Sequence, residues 1–228
     1  MNLEKYQQYS RIARGLEKAD LVLKDARIVN VFTEEIIRGD IAIQDGIIAG
    51  IGSFHGKEER DLAGRYVCPG FIDSHLHLES TLVTPAELVT AASRHGTTTF
   101  IVDPHESANV SGLAGIDYIL DQTEDVKANV YVMMPSCVPA TAIDDNGCTL
   151  TAEDMVPYLH NSRILGLGEV MDSISVVQGE KSMHDKLELF EGRIRDGHAP
   201  FLEEGDLQAY AMAGIATDHE CSFFDYAM

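Results

Sequence analysis

The chain has 228 residues, 45% hydrophobic and 24% charged, an ordinary globular composition with length for one large domain or two smaller ones. Acids outnumber bases 37 to 17, and the formal charge of −20 argues against nucleic acid and anionic membrane surfaces as partners. No run of about 18 apolar residues marks a membrane span, the polar N-terminus MNLEKYQQYSRIARGLEKAD is unlike a secretory signal, and Cys68, Cys137, Cys148 and Cys221 show no C-x-x-C spacing, all of which points to a reduced cytoplasmic compartment.

In chain order, residues 3–18 form a short helix with mixed faces. Residues 20–66 are rich in Val and Ile, alternate in places (Leu21, Leu23; Ile41, Ile43) and carry Asp45-Gly46 between two such runs, a hairpin signal. The spacing predicts a small β-domain of four to six short strands, so that residues 1–66 make a helix plus β-domain and 67–228 a second unit. In that second unit the rhythm changes. Strand-like runs at 66–73, 97–103, 129–136, 164–171, 195–200 and 216–220 alternate with helical stretches at 84–96, 110–125, 151–161, 184–194 and 206–215. Thr84-Pro85 and Thr151 are helix starts, and Gly96 and Gly214 are stops. Strands separated by helices imply parallel βα units.

Chemically capable residues sit where these strands end. The stretch PGFIDSHLHLES (69–80) places His75 and His77 two residues apart, hence on one face of a strand. Later strands end near Asp103, His105 and Glu106, then Ser136, then Glu169, then His198 and finally His219. In a (β/α)8 barrel all C-terminal strand ends face one mouth, so His75, His77, Glu169, His198 and His219 are candidate metal ligands. Imidazoles with a carboxylate suit Zn, Mn or Fe, and a Glu among four His residues suits two bridged cations about 3.5–4 Å apart. Asp103, His105 and Glu106 are candidates to orient the ligands, Glu106 also to touch substrate or carry a proton. Their other reading is a loop capping the next helix. MPSCVPAT (134–141) is a stiff connector or a substrate-shaping loop around Ser136, with Cys137 a weaker nucleophile candidate. His55, His95, His160 and His184 read as surface residues, and Asp172 shows no special spacing.

The combination of PGFIDSHLHLES, TTTFIVDPHE, PSCVPAT, GLGEVM, DGHAP and TDHE, running from about Ala19 to the C-terminus, resembles the adenine deaminases of the amidohydrolase superfamily. The first motif marks the superfamily; the joint presence of the others is more specific. The resemblance implies an α/β fold, a TIM-type (β/α)8 barrel with an added β-domain, and hydrolytic removal of the 6-amino group of adenine. It implies binuclear Mn or Fe, Zn being an alternative, held by His75, His77, bridging Glu169, His198 and His219. It further implies catalytic roles for His219 and Glu106, purine contact by Glu106 and Ser136, and a homo-oligomeric parent enzyme. Phe201-Leu202 departs from the family pattern after DGHAP.

About 160 residues follow the β-domain, room for roughly six of eight βα units. The chain therefore reads as the N-terminal part of a longer protein, lacking the acidic residue that the resemblance places after an eighth strand. On that reading the parent is a deaminase and these residues alone are inactive or nearly so. Two alternatives stand beside it: an amidohydrolase acting on a cyclic amide or another nucleobase ring, and a non-catalytic metal-binding remnant.

Overall fold

The computed structural model describes residues 1–141 and 143–220. The chain divides into two compact units, Met1–Pro69 and Gly70–Met228. The first contains α1 (Leu3–Ala13) and strands β1 (Ala19–Asn30), β2 (Glu35–Gln44), β3 (Ile47–Gly52), β4 (Gly56–Asp61) and β5 (Tyr66–Val67). β1 is the organising strand: β2 runs antiparallel to it, and β4 and β5 run parallel. Asp45-Gly46 closes the β2–β3 hairpin with positive φ at both residues, 50° and 75°, the geometry of a type I′ turn. Ile12 of α1 packs with Ala19, Val22, Ala42 and Phe54, so the helix covers apolar residues of the sheet.

The second unit is an α/β layer built on a parallel sheet. Its strands are β6 (Phe71–Leu76), β7 (Thr97–Val102), β8 (Asn129–Pro135), β9 (Ile164–Val170), β10 (Ile194–Gly197) and β11 (Thr217–Asp218). Among the described residues they pair in simple chain order, each parallel to the next. The result is a curled half-barrel. Its helices are α2 (Pro85–Ser93), α3 (His105–Ser111), α4 (Leu113–Gln122), α5 (Ala152–Met155), α6 (Ser173–Gln178), α7 (Lys181–Leu189) and α8 (Glu204–Met212). Phe100 and Val102 of β7 and Val130, Val132 and Met134 of β8, alternate residues in each strand, join Ile116, Ile119 and Leu187 from helices, and Phe190 just after α7, in one core.

Several boundaries differ from those read in the sequence. The run at 66–73 is two strands in two different sheets: Tyr66–Val67 pairs with β1 and Phe71–Leu76 with β7. Pro69, which has no N–H to give to a ladder, lies between them. The helix expected over 110–125 begins at Leu113 as α4, because Gly112, with φ 62°, separates it from α3, which starts earlier at His105. Thr151 does start a helix, through a reciprocal capping box with Asp154. The α geometry then stops at Met155, and a 3-10 turn carries Pro157. Helix α6 was not expected; its N-cap is Asp172, whose carboxylate accepts from the Ser175 amide. Cys221 lies outside the described residues.

Candidate metal centre

Four histidines from the ends of three strands, β6, β10 and β11, converge on Glu169 of β9. Its carboxylate is 5% exposed, and Oε1 lies 2.7 Å from His75 Nε2 and 2.8 Å from His77 Nε2. His219 Nε2 is 3.7 Å from the same oxygen, while Oε2 faces His198 Nδ1 at 3.7 Å. The rings of His75 and His219 stack with centroids 3.7 Å apart. The five expected ligands are thus brought together because parallel strands in chain order deliver all their C-terminal ends to one side. The two carboxylate oxygens address different histidines, which is the layout of a bridging ligand. His75, His77 and Glu169 form one set of donors within 4.8 Å of one another, and Glu169, His198 and His219 form another. Both sets offer imidazole nitrogen and carboxylate oxygen, donors that suit divalent transition ions.

Hydrogen bonds on the far side of the rings assign their tautomers. His77 Nδ1 lies 2.8 Å from the main-chain oxygen of Asp103, which can only accept, so Nδ1 carries the proton and Nε2 is left for a metal. His219 Nδ1 lies 3.2 Å from Asp196 Oδ2, a hydrogen bond, and His75 Nδ1 makes a longer electrostatic contact, 3.5 Å, with the same atom. Asp196, fixed in turn by the Thr217 hydroxyl, holds both rings with their Nε2 atoms toward Glu169. Asp196 is absent from the set read in the sequence, although Asp196-x-His198 repeats the spacing of His75-x-His77.

Without an ion, the ligands neutralise one another. The Glu169 hydrogen bond, opposed by burial, raises His77 from 6.5 to about 9. Burial would raise Glu169, but the His77 hydrogen bond and the charges of His105, His77 and His75 hold it at about 2. These are two views of one interaction. The His77 side contributes stability below pH 6.5 that is lost as pH rises through about 9; the Glu169 side contributes above pH 4.5 and is lost as pH falls through about 2. A metal must displace the proton on His77 Nε2. Loading the metal-free protein at pH 7.5 should therefore release about one proton per chain from this pair, with affinity rising about tenfold per pH unit up to the His77 value. Calorimetry in two buffers of different ionisation enthalpy measures it.

The remaining candidates fall into distinct places. Asp103 is buried at 2% exposure and both its carboxylate oxygens lack a hydrogen-bond partner, as does His105 Nδ1. Glu106 is exposed in the first turn of α3 and accepts from the Ser80 hydroxyl at 2.7 Å. It lines a cavity of about 520 Å³ with His105, Asn109, Cys137 and Met171, within the size range of small-molecule sites. Ser136 is not brought to the open side of the cluster: it is 1% exposed, and its hydroxyl donates to the main-chain oxygen of Glu169 at 2.6 Å. The buried Lys186 ammonium donates to the Ser136 carbonyl at 2.6 Å, so these residues brace the strand that carries Glu169. Burial pushes the Cys137 thiol up, the reverse of what a nucleophile needs. His184, expected on the surface, is half-buried with Nε2 2.9 Å from the Val176 oxygen. Tyr210 is a further brace that spacing did not reveal. Its hydroxyl donates to Val170 O and accepts from the His198 amide, tying the ends of β9 and β10.

Residues 66–228 match the amidohydrolase family. The chain belongs to that family. Over all 228 residues this amidohydrolase chain is 57% identical to an adenine deaminase of Desulfitobacterium hafniense, covering 40% of that protein. Over 92% of its length it is 50% identical to an adenine deaminase of Clostridium acetobutylicum, covering 37% of it. The chain thus spans about 40% of the length of these curated relatives. Among solved structures, an N-acyl-D-glutamate deacylase of Bordetella bronchiseptica, complexed with zinc and a phosphonate inhibitor, superposes with a TM-score of 0.58 at 18% identity. That alignment covers 88% of this chain and 51% of the other, and supports the incomplete barrel.

Proposed function

We propose that the protein carrying this chain is a metal-dependent adenine deaminase, hydrolysing adenine to hypoxanthine and ammonia. The observation that carries the reading is the convergence of His75, His77, His198 and His219 on the buried Glu169 beside a cavity edged by Glu106. The 57% identity to an adenine deaminase supports the choice of substrate.

Two divalent ions, when bound, supply Lewis-acid polarisation and an activated water at neutral pH. The chain's own residues do the rest. His75, His77, His198 and His219 hold neutral nitrogens toward the centre, with Asp196 and the Asp103 carbonyl fixing three of the rings. Glu106 accepts a hydrogen bond from the purine at the cavity edge. His219 stabilises charge that develops at the reacting carbon. In this reading the metal is manganese or iron, with zinc compatible with the same donors, and the whole protein is a cytoplasmic homo-oligomer acting on a small molecule.

The test is ammonia release by the whole protein, loaded with Mn²⁺ and offered adenine, cytosine or a dihydropyrimidine. We expect turnover of adenine that chelation abolishes and Mn²⁺ restores. Release from a cyclic amide but none from adenine would replace the proposed substrate.

A further inference from the structure

The carboxylate of Asp103 poses a problem that the paired centre does not solve. It is 98% buried by its 2% exposure, and neither oxygen has a hydrogen-bond partner. An Asp just before a helix ordinarily caps it, but here that work is done from elsewhere. Glu79 Oε1 accepts from the amides of Glu106 and Ser107 at 3.1 and 3.2 Å, while the cap position itself, Pro104, receives no side-chain bond. The Asp103 carboxylate is thereby released from any local duty and turned toward Glu169.

The spacing around it is that of ligands rather than of a hydrogen-bonded pair. Asp103 Oδ1 lies 3.6 Å from His105 Nδ1, and His105 Nδ1 lies 3.9 Å from Glu169 Oε2. Both are too long for a hydrogen bond. Donors arranged tetrahedrally about an ion at roughly 2.1 Å stand about 3.4 Å apart. His105 Nδ1 has no other partner, and the three donors lie within 4.8 Å of one another. The space is kept by Gly168, since a Cβ there would overlap Asp103 Oδ2. A bulkier residue one position before Glu169 would close the pocket.

We propose that Asp103, His105 and Glu169 form a third divalent-cation position, sharing Glu169 with the pair held by the histidines. It neutralises a buried carboxylate that makes no hydrogen bond and whose one near charge is the His105 ring at 3.6 Å, and it ties α3, which carries Glu106, to the metal centre. The inference rests on the reading of a binuclear site above, and the test separates the two.

The whole protein, stripped of metal and dialysed against Mn²⁺, should bind one more ion per chain than its Asp103→Asn variant, counted by atomic emission. His105→Gln should lose the same ion. In wild-type crystals, anomalous scattering at the manganese edge should show density between Asp103 and His105, a readout independent of either variant's folding. Equal ion counts in wild type and variants, with no anomalous peak there, overturn the third position alone. No manganese in any of the proteins overturns both readings.

Discussion

Glu169→Gln should leave the fold in place and empty the metal centre. The amide has the shape of the carboxylate but not its charge, and its NH2 cannot serve as a ligand. Both oxygens of Glu169 are engaged, Oε1 with His75, His77 and His219 and Oε2 with His198, so the substitution weakens both donor sets at once. Losing a partner outside the ligand set already costs about 10–100-fold in metal affinity, and losing the shared ligand should exceed that. The proposed turnover of adenine should fall by about 10³-fold or more. Metal content by atomic emission and ammonia release measure the two effects together. A third readout follows from the electrostatics. Without the carboxylate, His77 should return from about 9 toward its ordinary range, visible in the imidazole resonances of the metal-free protein. A variant that retains two ions and full turnover would remove Glu169 from the centre of this description.

Gly166→Ala should be among the most damaging single-methyl changes in the barrel unit. Gly166 of β9 pairs with Ile194 of β10, and a Cβ at 166 would overlap the Ile194 carbonyl oxygen. That neighbour is backbone, so no rotamer change relieves the clash and the two strands must part. Overpacking of this kind costs about 3 kcal/mol, which for a unit of this size lowers Tm by roughly 6–12 °C. The consequence reaches the site, because β10 delivers Asp196 and His198. Gly179→Ala is the matching control. It has positive φ, 74°, but nothing within 4 Å of the added methyl, so its cost is limited to backbone strain of about 1 kcal/mol. Thermal unfolding followed by circular dichroism compares them; equal shifts would contradict the close-approach argument.

The side chains that converge on Glu169 were legible in the sequence because they obey local rules. Strand periodicity puts His75 and His77 on one face, and the βα rhythm puts Glu169, His198 and His219 at successive strand ends. The residues that position them obey no such rule. Asp196 holds His219 across 23 residues and His75 across more than a hundred, and Glu79 caps a helix that begins 26 residues later. Ser136 stands at a strand end like the ligands, yet its hydroxyl turns inward to Glu169 O; one residue along a strand reverses the face, and only packing says which face is open.

By itself, then, the order of residues determined the parallel βα architecture, the separate β-rich first unit and the identities of the convergent imidazoles and carboxylate. Those follow from periodicity, from turn chemistry and from the single direction in which parallel strands end. Tertiary structure alone decided which acids orient the ligands, which stay buried without a partner, and where the run at 66–73 divides between two sheets. Each of these depends on the distance between atoms far apart in the chain, and that distance is set by how strands and helices pack, not by the spacing of letters.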